Sequence, residues 1–107
     1  MPNNRRQGEI ARAVFEVLIE NPEGLPKAQL LESVQERIPP TSREQTNPET
    51  ILGPWTIGLA RAGWLIKDKG QWSITDKGRA AYRAHPEPEA LQHEWNQLYQ
   101  AWSKKQP

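Results

Sequence analysis

Residues 64–78, WLIKDKGQWSITDKG, constrain this chain more than any other stretch. Leu65 to Lys67 and Gln71 to Ile74 read as two short strands around a turn at Asp68-Lys69-Gly70. Trp72 and Ile74 alternate with the polar Gln71 and Ser73. One face of this hairpin must be anchored in a core, and its tip carries lysines. Thr75 then supplies the side-chain oxygen of an N-cap, so a helix is expected immediately afterwards, running to about Ala84.

The rest of the chain reads as helices that supply the core. Ile10, Ala11, Ala13, Val14, Phe15, Val17, Leu18 and Ile19 cover about two-thirds of a helical wheel, leaving Arg12, Glu16 and Glu20 as a narrow polar stripe. Asn21-Pro22-Glu23-Gly24 ends that helix. Pro26 suits the first position of a second helix, with Leu30, Leu31, Val34 and Ile38 as its apolar face up to Pro39-Pro40. The loop 39–47 has a polar, mobile character. Thr46-Asn47-Pro48-Glu49 signals a third helix, which Gly53-Pro54 interrupts. Either residues 48–52 form a separate turn and the main helix starts near Pro54, or the helix is kinked there. Trp55, Leu59 and Ala62 form its inner side and Gly63 stops it.

Three helices, a hairpin and a further helix give a mainly α fold with a short β-hairpin. The order is that of a winged helix-turn-helix, expected over residues 1–84. Residues 85–107 then hold a stiff linker, His85-Pro86-Glu87-Pro88, and an additional C-terminal helix striped by Leu91, Trp95, Leu98 and Trp102. That stripe either covers the first helix around Phe15 and Ile19 or pairs with the same stripe in a homodimer. A length of 107 residues suits one domain.

In such a fold the third helix can enter a DNA groove while the hairpin, the wing, lies along the phosphates. Charge is distributed accordingly. Residues 43–83 hold seven Lys/Arg against four Asp/Glu, whereas the flanking segments are each net negative. Lys67 and Lys69 at the hairpin tip are phosphate candidates, although lysines there also keep edge strands from pairing. Lys77 and Arg79, at the start of the helix after the wing, and Arg43 are further ones. Arg5-Arg6 forms a candidate basic arm. On the outward side of helix 3 lie Thr50, Gly53, Ile57, Ala60 and Arg61, with Thr56 at the flank. That face has a single long polar side chain, so Thr50, Thr56 and Arg61 are its candidates for base or phosphate contact. Trp55, Trp64 and Trp72 read as core residues, with base stacking as the alternative.

Trp55-x3-Leu59-x-x-Ala62-Gly63-Trp64-Leu65 followed by Gly70-x-Trp72-x-Ile74-Thr75-x-x-Gly78-Arg79 resembles the N-terminal winged-helix domain of Mrr-type restriction endonucleases. The likeness is best over 53–83; helices 1 and 2 agree in pattern. It implies a module that targets foreign or modified DNA for restriction and works with a separate nuclease domain or subunit. The metal-holding acidic and Asp/Glu-x-Lys set of such a nuclease is missing here, so cleavage by this chain alone is not expected.

Other chemistries find little support. The chain has no cysteine, which excludes disulfides, thiolate catalysis and cysteine-bound zinc. His85 and His93 lack partners at metal-ligand spacing, and no catalytic triad, paired carboxylates or phosphate loop is present. No enzyme activity, metal or cofactor is therefore expected. Nor is a membrane span or signal segment, which points to the cytoplasm. The expected partner is double-stranded DNA. The alternatives are a winged helix whose small, partly apolar third helix meets a protein, and a transcription regulator.

Overall fold

The computed structural model describes residues 3–105. Its elements are α1 (Asn4–Glu20), β1 (Leu25–Pro26), α2 (Lys27–Arg37), α3 (Ser42–Thr46), α4 (Ile57–Arg61), β2 (Leu65–Asp68), β3 (Gln71–Ile74), α5 (Asp76–Ala84) and α6 (Pro88–Lys104). Two 3-10 turns, Pro48–Thr50 and Pro54–Thr56, precede α4. No helix among the described residues is long and apolar enough to cross a membrane.

β2 and β3 form the expected hairpin, with Leu65 opposite Ile74 and Asp68 opposite Gln71. Lys69 (φ 53°) and Gly70 (φ 80°) are both left-handed. That is the geometry of a two-residue type I′ turn, whose twist matches that of the strands. β1 adds a third antiparallel strand on the other side of β3, placing Leu25 opposite Trp72 and Pro26 opposite Gln71. Pro26 is therefore an edge-strand residue, where its missing N–H costs nothing, and α2 starts one residue later than expected. The Lys27 N–H donates to the Gly70 carbonyl at 3.0 Å, tying the start of α2 to the wing turn.

The core gathers Ile10, Val14, Phe15 and Leu18 from α1 with Leu30, Val34, Leu52, Leu59 and Leu91, all fully or almost fully buried. Side chains of this size contribute about 1.5–3 kcal/mol each on burial. The polar stripe of α1 lies alongside neighbouring helices and pairs with them. The Arg12 guanidinium donates to the carbonyls of Tyr82 (3.1 Å) and His85 (2.8 Å) and stacks over the Tyr82 ring. The Tyr82 hydroxyl donates to Glu16 at 2.7 Å, and Glu16 and Glu20 both pair with Arg37 of α2.

The segment 39–47 was expected to be a mobile loop and instead contains α3. Thr41 and Glu44 form a reciprocal capping box, and the buried Glu44 carboxylate takes two hydrogen bonds from Arg6, at 3.0 and 2.7 Å. Arg6 also reaches Glu9 and the Pro39 carbonyl, and Arg5 pairs with Glu9 and Glu89. The expected basic arm is consumed as a structural clamp. At Gly53-Pro54 the first of the two alternatives holds: a separate turn at 48–50, then a new helical start at Pro54.

α6 packs on α1 of its own chain. A Cβ on Gly8 would lie 2.0 Å from the Pro88 carbonyl oxygen, so only glycine admits this crossing. Leu91 and Trp95 are buried; Trp95 stacks on Trp55 (5.9 Å between ring centroids) and meets Trp64 edge-on (6.3 Å). α6 thus takes the first of the two expected alternatives, packing on α1. Phe15 packs against Trp64, and Ile19 stays 38% exposed. The whole is a winged helix carrying an additional C-terminal helix.

Candidate nucleic-acid interface

Lys67 sits opposite Trp72 in the hairpin register, so it shares the inner face of the sheet with that tryptophan instead of projecting from the tip. Its ammonium lies 4.3 Å from the Trp72 ring centroid and donates to the Thr56 hydroxyl at 2.7 Å. Thr56 in turn donates to the Gly53 carbonyl at 2.8 Å. One lysine thus ties the wing to the turn that opens α4. The Lys27 ammonium lies 5.8 Å from the same ring. Burial, then repulsion from Lys27, holds the Lys67 pKa below the ordinary lysine value.

Among the described residues, no carboxylate lies within ion-pair distance of Lys27, Lys67, Lys69 or Lys77. The cations on and around α1 are engaged, as shown above. The two sides of the molecule therefore differ: around α1 positive charge is spent on internal pairs, and around the wing it is left available to an anion.

The other anticipated contacts scatter. Thr56 is 1% exposed and its hydroxyl is committed to Lys67 and Gly53, so it cannot reach a base; the expectation that it lies on an accessible flank is corrected. Lys69 lies at the turn, and on the outer face of the hairpin it shares a hollow with Ile66, Ser73, Glu23 and Asp68. Lys77 and Arg79 lie at the base of the hairpin, the end opposite its tip. There the Thr75 hydroxyl accepts from the Gly78 N–H and donates to the Gly63 carbonyl, and Arg79 pairs with Asp76. Arg43 and Thr50 line a polar hollow of about 550 Å³ beside Asn3, Arg5, Arg6 and Glu9. The Thr50 hydroxyl there donates to the Asn47 carbonyl. Arg61 is exposed, with its guanidinium carbon 4.4 Å from the Trp102 ring centroid. Trp55, Trp64 and Trp72 are all core residues.

α6 changes what α4 and the turn before it can present. Gly58 of α4 faces Trp95, and a Cβ there would lie 3.0 Å from its Cδ1. Pro54, Ile57 (44% exposed) and Arg61 remain as an open ridge. Beside the ridge runs a groove of about 330 Å³ lined by Trp55, Ile57, Gly58, Trp95, Asn96 and Tyr99 among others.

Sequence reasoning missed Lys27, Asn96 and Tyr99. A two-residue strand carries no alternation pattern, so nothing announced that Lys27 would abut the wing. Asn96 and Tyr99 fall beside the Leu91–Trp102 stripe, and the steps of three and four that mark its inner face gave no reason to assign α4 as a neighbour. Comparison with family models, curated proteins and solved structures finds no match.

Proposed function

We propose that the chain is a double-stranded-DNA-binding winged-helix module. The observation that carries this reading is the pair of lysines, Lys27 and Lys67, set on the Trp72 ring where the wing meets α2, with no carboxylate to pair them. Two neighbouring ammonium groups repel one another, and an anion between or before them relieves that repulsion. Lys69 adds a second argument. It occupies a left-handed position that asparagine or glycine fills at lower cost, so its charge is a reason for a lysine there. In this reading the Lys27–Lys67 site and the wing turn take phosphates, and the Pro54–Ile57–Arg61 ridge lies towards the groove.

The resemblance over 53–83 supports a narrower assignment, the targeting part of a restriction system that works with a nuclease domain or subunit. One experiment tests both levels. Duplexes that are unmodified, 5-methylcytosine-bearing or N6-methyladenine-bearing are titrated by fluorescence anisotropy at several salt concentrations. Log affinity should fall with log salt by about 0.9 per phosphate neutralised. Replacing Lys27 and Lys67 together by methionine should remove about two such increments. Absence of duplex binding refutes the module, whereas equal affinity across the panel refutes only the selectivity for modified DNA. The protein-binding alternative is favoured by one observation, the apolar exposure of Ile57 at the rim of the groove lined by Trp95 and Tyr99. It predicts no salt-dependent duplex binding.

A further inference from the structure

Arg61 is held differently from the other engaged arginines of this chain. Arg5, Arg6, Arg12, Arg37 and Arg79 each spend N–H donors on carboxylates or backbone carbonyls. Arg61 makes no such bond among the described residues. Its guanidinium lies over the Trp102 ring instead, with 4.4 Å between its central carbon and the ring centroid. The electron-rich face of an indole attracts a guanidinium without taking the place of an oxygen acceptor. The donors of Arg61 are therefore still available to an anion, while its position is already set.

That position is on the open side of α4. Arg61 follows Ile57 by four residues, which puts both on one face of the helix, and both are exposed. Pro54 and Ile57 offer an anion nothing, so Arg61 is the charged group of this ridge. Trp102 comes from α6, where Tyr99 braces it with 5.9 Å between ring centroids. Tyr99 in turn lies beside Gly58 of α4, where a Cβ would stand 4.0 Å from its Cδ2. A long side chain that grips an anion gives up rotamer freedom, and one already held against a ring has given up part of it beforehand.

We infer that Arg61 grips a backbone phosphate of the duplex and that Trp102 is its positioning residue. Two N–H groups of the guanidinium donate to two oxygens of one phosphate, while the indole holds the fork in place. This rests on the DNA-binding reading and gives α6 a part in that binding.

The test titrates two duplexes of unrelated sequence across a salt series, using the full chain and its Arg61→Ala, Trp102→Leu, Trp102→Phe and doubly substituted Arg61→Ala/Trp102→Leu variants. Arg61→Ala should weaken both duplexes by the same factor and lower the salt slope by about 0.9. Trp102→Leu keeps the charge and an apolar side chain but removes the ring. It should leave the slope unchanged and weaken both duplexes about two- to fivefold, the worth of an exposed cation–π contact. Trp102→Phe should recover most of that loss. In the Arg61→Ala background Trp102→Leu should have no further effect, since the ring acts only through the guanidinium. A Trp102→Leu loss that persists in that background makes the ring a structural support of α6 and overturns the inference. Tighter binding by Trp102→Leu also overturns it, because the ring would then withhold Arg61. So does an Arg61→Ala variant of unchanged affinity and slope, or one weakened on a single duplex, which marks a base contact. Failure of the parent chain to bind either duplex overturns the DNA reading and this inference with it.

Discussion

Replacing Gly8 by alanine separates two accounts of α6 by the sign of the effect. In an unencumbered helix interior, glycine to alanine stabilises by roughly 0.5–1 kcal/mol, because alanine loses less backbone entropy on folding. If α6 were held by a second copy and did not lie on α1, that gain is what would be measured. In this structure the new Cβ would lie 2.0 Å from the Pro88 carbonyl oxygen, 2.5 Å from its carbon and 2.8 Å from its Cα. All three are backbone atoms, so no rotamer change relieves the clash. An ordinary carbon–oxygen contact is about 3.3 Å or more, so the start of α6 must retreat by about 1.3 Å. Leu91 and Trp95 follow within two turns, and both are core residues. Overpacking costs about 1–3 kcal/mol, and a clash this close with backbone atoms belongs at the upper end, so after the helix-propensity gain a net loss of about 2 kcal/mol remains. Urea denaturation followed by circular dichroism and tryptophan fluorescence measures it. A Gly8→Ala chain as stable as the parent, or more stable, would show that α6 is not docked at this crossing.

Other perturbations test the clamp, the cap and the wing. Hydrogen bonding from Arg6 holds the Glu44 carboxyl below the ordinary glutamate pKa, so its stabilisation is complete above that value and is lost as pH falls through the depressed one. Glu44→Gln should cost about 2 kcal/mol at neutral pH and progressively less in acid, as read from urea midpoints across a pH series. Thr75→Val, which removes both the cap to Gly78 and the bond to Gly63, should cost about 1–2 kcal/mol, and Thr75→Ser should recover most of it. Lys69→Asn should raise stability by up to about 1 kcal/mol while weakening duplex binding. A variant improved in stability and unchanged in binding would remove Lys69 from the interface.

The sequence carried the hairpin, the cap at Thr75 and the extent of the core because each leaves a local signature: alternation around a turn, a hydroxyl before a helix, apolar spacing of three and four. It also carried the break at Gly53-Pro54 as a pair of alternatives, because proline forbids continuation without saying what replaces it. The site was less legible. Lys67 was visible as a lysine beside a turn, yet its direction depends on register. One residue of slip would have sent it outwards, and pairing with Trp72 sends it inwards to Thr56. Arg6 read as part of a basic arm because its partner, Glu44, is 38 residues away. Composition cannot distinguish a guanidinium already paired from one still free.

α6 connects these findings. A winged helix usually leaves the outer side of its third helix open. Here Gly58 lets α6 approach, Trp95 fills the space against Trp55, and Trp102 takes the Arg61 guanidinium. Only a narrow ridge is left, too poor in hydrogen-bond donors to discriminate bases by itself. The same packing creates the aromatic groove beside it, since Trp95, Asn96 and Tyr99 all come from α6. Loss of α6 docking would therefore open the ridge and dismantle the groove together. In the DNA-binding reading proposed above, Lys27 and Lys67 are held by β1, β3 and Trp72 rather than by α6, so their phosphate contacts should persist.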